Sequence, residues 1–123
     1  MRPDERDPAY LWDMLEAARA IVSYTEGLAL EDFLADVRQM QLTRLAVERL
    51  LGILGEAARG VSSHLRDEHP EIPWKDIIGL RNVISHEYRR VNYEGIHEIV
   101  RADVPQLIVL LEPLIPPLPP LEE

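Results

Sequence analysis

Apolar residues recur at intervals of three and four along most of this chain, and strand-like alternation is nowhere sustained. That periodicity predicts helices and no sheet. Asp7-Pro8 reads as an N-cap followed by proline at the first helical position. Leu11, Met14, Leu15, Ala18, Ile21 and Val22 then trace one face of a first helix, and Gly27 suits its C-terminal cap. Leu30 to about Val37 predicts a short second helix, opened by Glu31 and Asp32, whose charge complements a helix N-terminus. The longest pattern runs from Met40 to about Arg59. Leu42, Leu45, Ala46, Ile53 and Ala57 form one stripe there, and Val47, Leu50, Leu51, Leu54 and Ala58 widen it. So broad an apolar circumference predicts a helix central to a bundle, or one shared between a bundle and an oligomer interface. Gly52 and Gly55 each cost about 1 kcal/mol in a helix interior, a cost that close helix approach would explain. Glu56 needs a partner if buried; otherwise it lies on the narrow polar side.

Beyond Gly60 the pattern loosens. Ser62 to His69 predicts a turn or short helix before Pro70, and Pro73 to Tyr88 reads as one amphipathic helix with proline at its first position. With Arg81 at 0° and an advance of about 100° per residue, Ile77, Leu80, Val83 and Ile84 fall on a core-facing stripe. Arg81, Asn82, Ser85, His86 and Tyr88 fall on the opposite arc. Arg81 and Tyr88 are nearly eclipsed, and Asn82 and His86 are four residues apart and stacked. Trp74 and Ile78 share this arc, so a partner subunit is expected to cover it. Asn92 caps a further helix through Ile96, Ile99 and Val100. Asp103 and Pro105 predict a break or bend before a final helix through Leu107, Val109, Leu110 and Leu111. These elements compose one domain over residues 1–112, an up-and-down bundle of four to five main helices. Five of the ten prolines fall in the tail, residues 113–123, where polyproline-type extension packed on the chain's own bundle is expected.

Composition narrows the function. The 123 residues include no cysteine, which removes disulfides and thiolate metal sites and suits a cytoplasmic protein. No apolar run is long enough to predict a membrane span, and Met1 to Pro8 has no signal-peptide core. The net charge of −9 argues against a surface that coats nucleic acid broadly, though not against a local basic groove. His64, His69, His86 and His97 lack zinc-protease spacing, no nucleophile elbow is present, and neither metal nor cofactor is expected. What remains is Arg81 with His86. Imidazole exchanges a proton near neutral pH, and guanidinium holds a phosphate and stabilises charge building on it. The pair suits metal-free cleavage of RNA, in which the ribose 2′-OH attacks the adjacent phosphate.

Arg81-Asn82-Val83-Ile84-Ser85-His86-Glu87-Tyr88 also resembles the RxxxxHxY motif of HepT-like ribonucleases, a branch of the HEPN superfamily. The likeness extends over nearly the whole chain. Tyr24-Thr25-Glu26-Gly27 and Glu31-Asp32-Phe33-Leu34-Ala35-Asp36 are similar to the family's first helix end and second helix. Ile53-Leu54-Gly55-Glu56-Ala57-Ala58 resembles its Gly-Glu-Ala helix, and His69-Pro70-Glu71-Ile72-Pro73-Trp74 its approach to the motif. The resemblance implies a HEPN-like homodimer with two Arg/His faces across a shared cleft. It also implies a toxin silenced by an MNT-type nucleotidyltransferase antitoxin that adenylylates the motif tyrosine, here Tyr88. On this reading Arg81 and His86 are catalytic, and Asn82 orients the imidazole or the phosphate. Arg89-Arg90 departs from the usual residues after the tyrosine; the added charge is expected to help RNA approach or to alter antitoxin docking. Two other readings stay open: an inactive helical subunit serving a nucleotidyltransferase, and a purely structural bundle.

Overall fold

The computed structural model describes the backbone of residues 3–84 and 91–116, and side chains within 4–82 and 91–116. Helix α1 (Asp7–Thr25) packs along the longest helix, α3 (Arg38–Gly60). The two are antiparallel, because Asp7 at the start of α1 meets Ser62 just past the end of α3. The Asp7 carboxylate accepts from the Ser62 backbone N–H at 2.7 Å and from its hydroxyl at 2.6 Å. Asp7 is therefore not a free N-cap, as its position before Pro8 suggests; it is a buried cross-link, and Arg6 occupies the cap position. The same Ser62 hydroxyl accepts the Leu65 N–H at 3.2 Å and caps α4 (Ser63–Glu68), the short helix expected before Pro70.

The chain then returns along α3 as α5 (Trp74–Ile78) and α6 (Leu80–Ile84). It descends again through α7 (Tyr93–Glu98), a π-helical turn (Ile99–Asp103) and α8 (Val104–Leu111). Helix α8 runs antiparallel to α1: Pro105 lies beside Val22 and Thr25 around one cavity, whereas Glu112 pairs with Arg19 at 2.8 Å. The result is an all-α, HEPN-like bundle with up-down-up-down order, in which α2 (Leu30–Phe33) and α4 are connectors. Among the described residues no strand is present.

One core joins these elements. Leu11, Met14, Leu15, Ala18 and Ile21 of α1 meet Val47, Leu51, Leu54 and Ala58 of α3, with Phe33, Ile72, Ile96, Val104 and Leu111 closing the rest. Only half of the broad apolar circumference of α3 is used. Val47, Leu51, Leu54, Ala57 and Ala58 are buried, whereas Leu42 and Leu45 remain 57% and 58% exposed and Ile53 is exposed as well. Glu56 lies on the exposed side and needs no buried partner.

Several boundaries differ from the sequence expectation, each for a local reason. The second helix is a single turn, Leu30–Phe33; Arg44 draws the carbonyls of Phe33 and Ala35 onto its guanidinium and ends the turn there. Gly27, at φ 76°, follows the end of α1 in the left-handed conformation that glycine tolerates. The expected break at Asp103–Pro105 is a π-helical turn instead. Proline cannot donate to the preceding turn, and its ring crowds the carbonyl four residues back. Widening the turn lets the Val104 N–H reach the Ile99 carbonyl while the helix axis continues. Asn92 does cap α7, accepting the Gly95 N–H at 3.0 Å. No helix among the described residues is long and apolar enough to cross a membrane.

Candidate active site

Within the described part of the stretch read as one helix from Pro73 to Tyr88, two helices meet at Gly79. Pro73 is the N-cap, and Trp74 is the first helical residue. At Gly79 the hydrogen bonding tightens, with the Asn82 N–H bonding to the Gly79 carbonyl at 2.9 Å, three residues back. The junction is pressed onto α3 at Gly55. A Cβ placed on Gly55 would sit 3.0 Å from the Ile77 carbonyl oxygen, so glycine is what lets the backbone of the site-bearing segment lie against the scaffold. Ile77 and Leu80 are buried on this side, as their positions on the wheel predict. The side chains of Val83 and Ile84 lie outside the described residues.

Trp74 corrects a second expectation. It is buried, and the chain itself covers it: the indole N–H donates to the His69 carbonyl at 2.9 Å. The turn before it is held by His69 and Glu71, whose side chains meet at 3.0 Å. The Glu71 carboxyl is held below its ordinary range by its own backbone N–H and by His69. Ile78 is half-buried and lines an open groove of about 760 Å³ with Trp74, Arg66 and Lys75. The bulk on this arc is thus partly satisfied within one chain, and it argues less for a partner subunit than the sequence pattern does.

Arg81 and Asn82 stand on α6 with exposed side chains, two and three residues beyond Gly79. Among the described residues Arg81 makes no ion pair. His86, Tyr88, Arg89 and Arg90 lie outside the described residues. Just beyond them is a cluster that the sequence reading missed. Tyr93, at the start of α7, donates its hydroxyl to Glu48 of α3. The Arg44 guanidinium lies 5.2 Å from the Tyr93 ring centroid, and Phe33 meets that ring edge-on at 6.2 Å. Burial, then the Glu48 carboxylate, push the Tyr93 hydroxyl up to about 12, against Arg44 acting in the other direction. Glu48 and Tyr93 are forty-five positions apart, and neither stands in a periodic or motif position that would link them. A second unpredicted contact ties His97 to the Leu28 carbonyl at 2.9 Å, with its ring 5.6 Å from Phe33. No group of three or more His, Cys, Asp or Glu suited to a metal ion is found among the described residues.

Comparison with known proteins places this all-α bundle in a family. The model of the family described as "Ribonuclease HepT-like" matches residues 14–114. The chain belongs to the HepT-like ribonuclease family. It is 35% identical over 99 residues to "Putative RNase MJ1380" of Methanocaldococcus jannaschii, covering 80% of this chain and 87% of the relative. "Probable ribonuclease HepT" of Thermococcus cleftensis is 36% identical over 98 residues, covering 80% and 86%. "Putative RNase TTE0752" of Caldanaerobacter subterraneus subsp. tengcongensis is 37% identical over 98 residues, covering 80% and 84%. No solved structure matches the chain.

Proposed function

We propose that the protein is a metal-independent endoribonuclease and the toxin of a HEPN/MNT toxin–antitoxin pair, with Arg81 and His86 as its catalytic residues. The observation that carries this reading is Arg81 itself: an exposed guanidinium that makes no ion pair among the described residues, five residues before His86, in a chain of a ribonuclease family. His86 takes the proton from the ribose 2′-OH or gives one to the leaving 5′-oxygen. Arg81 binds the phosphate through two parallel N–H groups and stabilises the charge of the pentacoordinate transition state. The 2′-oxygen–phosphorus bond forms as the phosphorus–5′-oxygen bond breaks, leaving a 2′,3′-cyclic phosphate. Asn82, on the same helix, orients the imidazole or the phosphate, and Arg89 and Arg90 add charge that draws RNA in.

The active form in this reading is a homodimer. Leu42, Leu45 and Ile53 give α3 an apolar face that the fold leaves uncovered. Control falls to Tyr88: transfer of AMP from ATP to its hydroxyl by the cognate nucleotidyltransferase, with release of pyrophosphate, places an anion and a purine beside Arg81 and blocks RNA.

The test is cleavage of a defined RNA by the purified protein with and without EDTA, beside His86→Ala. The proposal predicts cleavage that survives EDTA, cyclic-phosphate ends, and loss on the order of 10²-fold or more in the variant. An absolute metal requirement, or full activity in His86→Ala, contradicts it. Intact-mass measurement after exposure to the antitoxin with ATP and Mg²⁺ should show added AMP in the wild type and none in Tyr88→Phe. No binding or cleavage of RNA, with nucleotide binding retained, would favour the non-catalytic adaptor subunit.

A further inference from the structure

The open groove of about 760 Å³ between α4 and α5 has no task in the cleavage chemistry, yet its lining is built for a ligand. Arg66 enters it from α4 with a side chain set in an unusual way. Its Nε–H is enclosed by the fold and has no hydrogen-bond acceptor. An enclosed donor without an acceptor bears the full cost of its lost water. Among the described residues the guanidinium makes no ion pair either. Only Nε is enclosed in this way, so the terminal N–H groups keep their access to the groove. The fold thus holds a cation by its stem, aims no counter-charge at it, and leaves the end of its fork open. Lys75 lines the same groove from α5, exposed and likewise without an ion pair among the described residues.

The groove also opens on the side where Arg81 stands. With Arg81 at 0°, Trp74, Ile78 and Lys75 fall at about 20°, 60° and 120°. That is the arc of Arg81 and Asn82, and half-buried Ile78 precedes Arg81 by only three residues. We propose that the groove seats a nucleotide of the RNA strand next to the one held at Arg81. Arg66 and Lys75 take its phosphate, and Ile78 and Pro70 offer an apolar wall to its base. The identity of this ligand rests on the ribonuclease reading above. Two acids, Asp67 and Asp76, share the lining with the two cations, so the groove is not a trap for every anion. Carboxylates accept from ribose hydroxyls and base amino groups. A nucleotide offers these donors together with a phosphate and an apolar face, whereas inorganic phosphate offers only the charge.

The test uses the full chain and two single-stranded probes of 2′-O-methyl RNA, which bind but cannot be cleaved: an oligonucleotide, and a dinucleotide that spans a single phosphate. Binding is followed by fluorescence anisotropy over a range of salt, beside cleavage of unmodified RNA and melting temperatures. The variants are Arg66→Ala, Arg66→Lys and Lys75→Ala. Arg66→Ala should weaken oligonucleotide binding on the order of tenfold and raise KM at nearly unchanged kcat. Its binding of the dinucleotide should not change. Each alanine variant should flatten the dependence of log affinity on log salt by about 0.7, the share of one phosphate contact on a single strand. Arg66→Lys should keep the wild-type slope, because the charge remains. Wild-type affinity and slope in Arg66→Ala overturn the proposal. So does an equal loss on both probes with a lowered melting temperature, which marks Arg66 as structural only. Unchanged cleavage and binding in Arg66→Ala leave the ribonuclease reading standing without this groove. A wild type that binds the oligonucleotide through Arg66 yet cleaves nothing supports the groove and overturns that reading.

Discussion

Helix α3 and the α5–α6 pair lie side by side on one core and are built by opposite rules. The first runs twenty-three residues from Arg38 to Gly60 without interruption, and its buried residues recur at three and four. The second is interrupted at Gly79, and just past that point stand the exposed Arg81 and Asn82. Cooperative helix formation favours long elements, and a piece as short as Trp74–Ile78 is held by packing rather than propensity. The scaffold therefore carries the stability, and the site-bearing segment is positioned by what it touches on α3. Rigid support beneath a polar, exposed group is what placing a guanidinium for a passing phosphate requires.

The comparison breaks most sharply in the core. Leu51→Ala, which empties a fully buried core position of α3, should destabilise the fold by about 2–5 kcal/mol, measured by chemical denaturation. Leu42→Ala on the other face should change the stability of the isolated chain by no more than about 0.5 kcal/mol. Equal losses would mean that α3 is not divided into a core face and a free one. Gly55→Ala comes next. Its methyl group meets a backbone carbonyl at 3.0 Å, so the junction must shift, at a cost of about 1–3 kcal/mol. Cleavage should fall further than stability alone explains, since Arg81 moves with the junction. Activity retained in a destabilised Gly55→Ala protein would uncouple the contact from the site.

The exposed face of α3 gives a third, smaller effect. Leu45→Glu should shift the protein toward a 14.1 kDa species in light scattering without lowering its helix content, if a second copy covers that face. A wild type that is already monomeric at micromolar concentration contradicts the dimer. The smallest effect is a pH dependence. The Tyr93 hydroxyl loses its proton near 10 in the unfolded chain and near 12 in the fold. Its contribution is therefore complete below about pH 10 and is lost as pH rises through that window. Tyr93→Phe should remove this part of the alkaline loss in thermal melts; an identical alkaline profile would show that the bond to Glu48 contributes nothing.

Much of this architecture was legible from spacing alone. The buried face of α1, the caps at Gly27 and Asn92 and the buried Ile77 and Leu80 follow from local patterns, because helix periodicity and capping depend on neighbours in sequence. What spacing could not give are the contacts between distant segments. Nothing near Asp7 points to Ser62, and nothing near Tyr93 points to Glu48. Which half of the α3 circumference meets the core also depended on where α1 and α5 would pack. The Gly79 interruption was missed because the wheel stays in phase across it: the turn tightens without rotating Leu80 out of the core. For the site, the motif gave Arg81 and Asn82 an exposed face, which the fold provides; His86 and Tyr88 lie outside the described residues.

The central claim is that Arg81 acts on phosphate and is not merely a solvated charge. Arg81→Ala and Arg81→Lys should be assayed on one RNA beside the wild type, with melting temperatures recorded. Because the side chain is exposed and unpaired among the described residues, folding should be unaffected. Cleavage by Arg81→Ala should fall on the order of 10²-fold or more. Arg81→Lys should recover little of it, because a point charge lacks the planar fork. Undiminished cleavage in Arg81→Ala protein would contradict the account.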